Sequence, residues 1–268
     1  PAAIDFVLGK TGAPSLQAVV HCYGSNTFVM SMLGGWIDPQ KVRSVVCSQV
    51  AAHLKTGLLA RFEGGLHLPG MLHKLGITSL TAYVDENEDW RNKLFDTMLH
   101  LEWVPPGQHC RSAVCHRITF IYGLLYQHEN LDTRFHDNLH ELFGVANIAS
   151  LEQLAAMVRA GHLVDQHGKN AYLEPATNLA RLKLPIRFVS GSKNHCYLPE
   201  STEQTLELLA SANGPDLYDR VVVDGYGHLD SIFGAHAVDD VYPKILEHLD
   251  RTAVPGSPVR ARAPRTPR

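Results

Sequence analysis

The sequence predicts an α/β fold in which a mostly parallel sheet is interrupted by a helical cap. Three observations predict it. Short β-branched apolar runs alternate with helical segments at both ends of the chain. Between them, residues 54–180 turn to helical spacing. The later runs, "IRFVSG" and "RVVVDG", break off at glycine where the next loop begins. A length of 268 residues, 45% hydrophobic and 19% charged, suits a single globular α/β domain carrying an insertion.

In chain order, residues 2–9 read as the end of a helix. "SLQAVVH" (15–21) is a continuous apolar run, the pattern of a strand buried on both faces. "NTFVMSMLGG" (26–35) is a helix closed by glycines, and "KVRSVVCSQV" (41–50) a second strand. Within the insertion, Trp90, Leu94, Phe95, Met98 and Leu101 share helical spacing. So do Phe135, Leu139, Leu142 and Phe143, ahead of Gly144. Ser150 with Gln153 makes a capping-box start, and no strand is expected between 54 and 180. Strands return at 184–191 and 219–228, with helices over 199–211 and 237–249. The expected organisation is a first core part over 1–53, the cap over 54–180, a second core part over 181–250 and a disordered tail over 251–268.

Charge and composition narrow the function. The net charge of −3 includes five arginines and no acid in the tail, so the body is acidic and unsuited to a nucleic-acid groove. No apolar run approaches the ~20 residues of a membrane span. The N-terminus has neither the basic start nor the cleavage site of a signal peptide. Five cysteines without a regular framework point to reduced thiols and a cytoplasmic setting.

The chemistry-bearing stretch is "AVVHCYGSNTF" (18–28). It places Cys22 where a strand turns sharply into a helix, the position of an exposed nucleophile. Gly24 lies two residues beyond it, while Val20 stands where a second small residue would help strand and helix approach. After "IRFVSG" comes "SKNHCYLPES", and after "RVVVDG" comes "YGHLDSIFG". On these segments residues 1–250 resemble the α/β-hydrolases, whose chain order is nucleophile, acid, histidine. The resemblance implies Cys22 as nucleophile, Asn194 in place of the acid, His228 as base, and the Tyr23 backbone N–H as an oxyanion donor. The two departures suit each other. A thiol near pKa 8.5 ionises readily beside histidine, so an amide oxygen accepting from the ring N–H suffices to orient it. The plainer alternatives are an inert packed thiol at 22, a turn residue at 194 and a surface histidine at 228. Asp230, two residues past His228, is a less suitable orienter because it shares the loop.

"VVHCYGSNTFVMSML", "VRSVVCSQVAAH", "CRSAVCHRITFIYGLLY" and "YDRVVVDGYGHLDSIFG" are similar to one branch of that family. These are the hydrolase domains C-terminal to GMC-type, cholesterol-oxidase-like flavin oxidoreductases. The branch implies a lipid or sterol context and an upstream flavin domain as partner. No residue here makes an FAD fingerprint, so no cofactor is expected unless that domain exists. The match also implies earlier strands and a second oxyanion donor upstream of residue 1. Without that donor the rate would fall ~100–1,000-fold. Without those strands 15–21 would be an association-prone edge.

A second cluster, His109, Cys110, Cys115 and His116, has looser spacing than a zinc knuckle and reads as core or loop thiols. His136 and His140 lie four apart on one helix face without the glutamate of H-E-x-x-H, and read as a solvated face, so no metal is expected. The expected function is an ester- or thioester-cleaving acyl hydrolase acting on an apolar small molecule. The alternatives are a non-catalytic, hydrolase-like binding module and one segment of a flavoenzyme polypeptide.

Overall fold

The computed structural model describes residues 1–57, 79–81 and 107–254. The expected helix around Trp90–Leu101 and residues 255–268 of the tail lie outside them.

Helix α1 (Ala2–Thr11) stops at Gly12, whose φ of 67° is the left-handed turn that glycine takes without strain. Strand β1 (Leu16–His21) leads into α2 (Tyr23–Leu33), then β2 (Val42–Ser48). The insertion contributes β3 (Ser79–Thr81), α3 (Ala113–Tyr122), α4 (Thr133–Asp137), β4 (Val145–Asn147) and α5 (Ile148–Ala160). The chain then forms α6 (Ala176–Leu179), β5 (Ile186–Gly191), α7 (Glu200–Asn213) and β6 (Tyr218–Val223). It ends in α8 (Asp230–Phe233), α9 (Ala237–Asp240) and α10 (Tyr242–Arg251).

The main sheet has the order β1-β2-β5-β6, all parallel. Parallel strands need crossovers, and the helices between them pack on both faces. One face, with Val45, Cys47, Ile186 and Phe188, packs against α2, α7 and residues 163–182. The other, with Val46, Val189 and Val223, packs under α9 and α10. The central strands β2 and β5 are buried almost throughout. β1 differs from its sequence expectation. Among the described residues it pairs on one side only, and Val19 is 48% exposed.

Several local departures have physical causes. The insertion holds a two-stranded antiparallel sheet, β3 against β4, where no strand was expected. α5 starts two residues early because the Asn147 side chain accepts from the Ala149 N–H at 2.9 Å. The helical spacing over 135–143 is broken at Asn138, whose side chain donates to the Arg134 carbonyl, and continues as a 3-10 turn. The final helix is split into α9 and α10, with Pro243 in the first turn of α10. α10 continues to Arg251, which pairs with Asp219, so ordered structure reaches into the expected tail.

The insertion leaves and rejoins the core at one place. Leu54 N–H donates to Gly161 O and Leu163 N–H to Ala52 O, around a His53–His162 bridge. Residues 163–182 beyond that bridge belong to the main core. Met157 of α5 also packs in the main core, while residues 110–143 build a second, small core from Cys115, Ile118, Leu125, Tyr126 and Leu139.

Candidate active site

Three loops at the C-terminal ends of β1, β5 and β6 carry Cys22, Asn194 and His228, the rim where parallel sheets place ligands. Cys22 sits between β1 and α2 with φ 58° and ψ −136°, a conformation that non-glycine residues rarely hold. Such backbone strain costs roughly 1–3 kcal/mol and persists only where surroundings enforce it. Here they do. Cys22 N–H donates to Ser48 O, and its carbonyl accepts from Ser25 and Asn26 N–H. Ser25 Oγ in turn donates to Val50 O, and Asn26 Nδ2 to Ala51 O at 2.7 Å. The elbow is thus bolted to the segment after β2. Tyr23 is the first residue of α2, so its N–H has no intrahelical acceptor.

β5 and β6 deliver the other two residues. At Gly191 an added Cβ would lie 2.2 Å from the Tyr226 carbonyl oxygen, so only glycine lets the two loops meet. His228 is fully buried, and its Nδ1 lies 3.1 Å from Asn194 Nδ2. Its ring is 5.0 Å from that of His21 and 5.4 Å from that of Tyr197.

The direction of the Asn194–His228 bond corrects the sequence expectation. Asn194 Oδ1 already accepts from Cys196 and Tyr197 N–H at 3.0 and 3.1 Å. Its Nδ2 donates to Gln49 Oε1 at 2.9 Å and faces the ring. Gln49 Oε1 also accepts from Gly191 N–H, and Gln49 Nε2 donates to Ser231 Oγ at 2.8 Å. Turning the Asn194 amide over would set NH2 against two N–H groups and oxygen against oxygen. The amide therefore donates to Nδ1 rather than accepting from it, and the neutral ring carries its proton on Nε2.

Electrostatics agree with a neutral resting site. Burial, with His21 adding, holds His228 well below the usual imidazole range. Burial lowers His21 to about 4. Burial also pushes the Cys22 thiol up to about 11, only partly opposed by the Tyr23 N–H. His228 Nε2 has no hydrogen-bond partner, so no bond joins it to the Cys22 sulfur. The ready ionisation of the thiol beside histidine, expected from the sequence, does not hold at rest because nothing charged compensates desolvation on either side. The structure brings Asn194 onto His228, with Cys22 on the neighbouring loop but unbonded to the ring.

Gln49, His21 and Tyr197 are the rim residues that the sequence left unmarked. Gln49 had a signal, a buried polar residue at the end of an apolar strand, here with φ 78°. Asp230 is bonded to Asn130 and to Gly227 N–H, not to the His228 ring.

No protein-family model matches this chain, and no curated protein sequence does. Among solved structures, a soluble variant of Saccharomyces cerevisiae monoglyceride lipase in complex with a substrate analogue has a TM-score of 0.55 at 11% identity. That likeness covers 94% of this chain and 68% of the other. Paleococcus ferrophilus monoacylglycerol lipase has a TM-score of 0.51 at 14% identity, over 94% of this chain and 74% of the other. The parallel order β1-β2-β5-β6, the strained turn at Cys22 and these likenesses agree: the chain has the α/β-hydrolase fold.

Proposed function

We propose that the chain cleaves an ester or thioester of an apolar small molecule through an acyl intermediate on Cys22. The observation that carries this is the strained backbone at Cys22, held by three hydrogen bonds between the elbow and residues 48–51 at a position where an inert thiol would need none. The Cys22 proton passes to His228 Nε2, and the thiolate attacks the acyl carbon. The oxyanion is held by the Tyr23 N–H. The leaving oxygen or sulfur takes the proton from Nε2, and a water activated by the same nitrogen releases the acid. His228 accepts the first proton only as the Nδ1–H tautomer, so the Asn194 amide must turn aside. The site is accordingly slow at neutral pH and faster as pH approaches the thiol's raised value. Two of the structural neighbours are described as a monoacylglycerol lipase and a monoglyceride lipase, which supports an acyl ester as the substrate class. The sterol context and an upstream flavin domain rest on the sequence resemblance alone.

A second reading is favoured by the inward-facing Asn194 amide and the desolvated thiol: a hydrolase-like module that binds an apolar ligand without cleaving it. Turnover of a p-nitrophenyl acyl ester separates the two. The hydrolase reading expects a rate that rises with pH and is lost in both Cys22→Ala and His228→Ala. A rate indifferent to Cys22→Ala favours the binding module.

A further inference from the structure

Away from the sheet rim, the insertion gathers four ligand-type side chains that the sequence held apart in separate readings. Cys110, Cys115, His128 and His136 each place one ligand atom within 4.8 Å of the others. Cys110 comes from the loop before α3 and Cys115 from its first turn. His128 comes from a 3-10 turn and His136 from α4. His109 and His116, the other members of the sequence cluster, are not in the group, and His116 Nε2 instead meets Cys110 O at 3.0 Å.

We propose that these four residues form a structural zinc site of Cys2His2 type. Three features carry it. The donor set is two thiols and two imidazoles, the mixture that selects a tetrahedral zinc ion. Ligand atoms on such an ion lie about 3.3–3.8 Å apart, from bonds of about 2.3 Å to sulfur and 2.0 Å to nitrogen. Cys115 Sγ and His128 Nε2 are already 3.4 Å apart, and the other pairs, all within 4.8 Å, need to close by about 1.5 Å at most. The surroundings are those of a ligand set. Gln108 Oε1 takes His128 Nδ1–H at 2.9 Å, leaving Nε2 as the lone-pair nitrogen beside the sulfur. Tyr126 OH donates to Cys115 Sγ at 3.1 Å, as outer groups do to bound thiolates. His136 Nε2 is buried with no hydrogen-bond partner, a state a bound ion would relieve.

On binding, each thiol releases its proton to solvent and each sulfur donates a lone pair, giving a neutral, closed four-ligand centre with no open position for substrate. Its role is to fix the stretch between Cys115 and His136, which docks on the active-site loops. Leu125 O accepts from Leu229 N–H, Gln127 Nε2 donates to Lys193 O, and Asn130 Nδ2 reaches Asp230. Zinc would thus staple the cap to the loops of Asn194 and His228.

The test is metal analysis of the full chain purified under reducing conditions, with cobalt(II) substitution as a second readout. The proposal expects about one zinc per chain and, with cobalt, the intense visible bands of tetrahedral coordination with thiolate charge transfer. Cys110→Ser and His136→Ala should each lower the bound metal several-fold, while His140→Ala, on the exposed side of the same segment, should retain it. Substoichiometric metal in the unaltered chain, octahedral cobalt spectra, or a Cys110–Cys115 disulfide found by mass spectrometry after thiol blocking would each overturn it.

Discussion

At position 194 an amide stands where a carboxylate would accept from the imidazole, and its oxygen is spent on the N–H groups of Cys196 and Tyr197. The consequence is a proton on Nε2, the nitrogen that in the proposed mechanism takes one from Cys22. Asn194→Asp would supply a charged acceptor for Nδ1–H, and an adjacent carboxylate raises an imidazole's pKa. Alkylation of Cys22 by iodoacetamide at neutral pH is therefore expected to quicken by about tenfold or more, one pKa unit being a factor of ten. An unchanged rate would show that residue 194 does not govern the ring. The places of Cys22, Asn194 and His228 at the sheet rim were legible because each follows a recognisable strand. The direction of the amide was not, since it depends on Gln49, 145 residues away and joined to Asn194 only through space.

Among the elements, the buried strands β2 and β5 were legible from their apolar runs, and α7 from its helical spacing. β3 and β4 were not, because three-residue strands carry too little periodicity to signal pairing across more than sixty residues. One element contact invites a direct measurement. Arg187 on β5 is buried and forks onto Asp219 of β6 at 2.7 and 3.0 Å, with Glu247 and the Lys244 carbonyl of α10 completing its contacts. Arg187→Ala would leave Asp219 facing the α10 end without its main partner. Because Asp219 is about one-third exposed, the cost should be about 2–3 kcal/mol, below that of a wholly buried pair. Urea denaturation checks it, and a loss under about 0.5 kcal/mol would mean the fork is only surface pairing.

For the molecule as a whole, the rim makes stability depend on pH. His21 and His228 are held neutral in the fold, whereas in the unfolded chain they take up protons near pH 6.5. Their contribution is complete above that value and is lost as pH falls below it, reaching a floor for His21 near 4. His21 alone accounts for roughly 3 kcal/mol across the window. The urea midpoint should drop between about pH 7 and pH 4.5, and His21→Asn should flatten the profile. A midpoint independent of pH there would contradict the buried, neutral rim. No helix among the described residues is long and apolar enough to cross a membrane.

The central claim is a covalent one, so intact-mass spectrometry of the chain quenched during reaction with an activated acyl ester addresses it most directly. The account predicts one acyl group per chain, located on the peptide containing Cys22, accumulating faster as pH rises and absent from Cys22→Ala. No adduct at any pH, or acyl groups spread over Cys110, Cys115 and Cys196 instead, would contradict it.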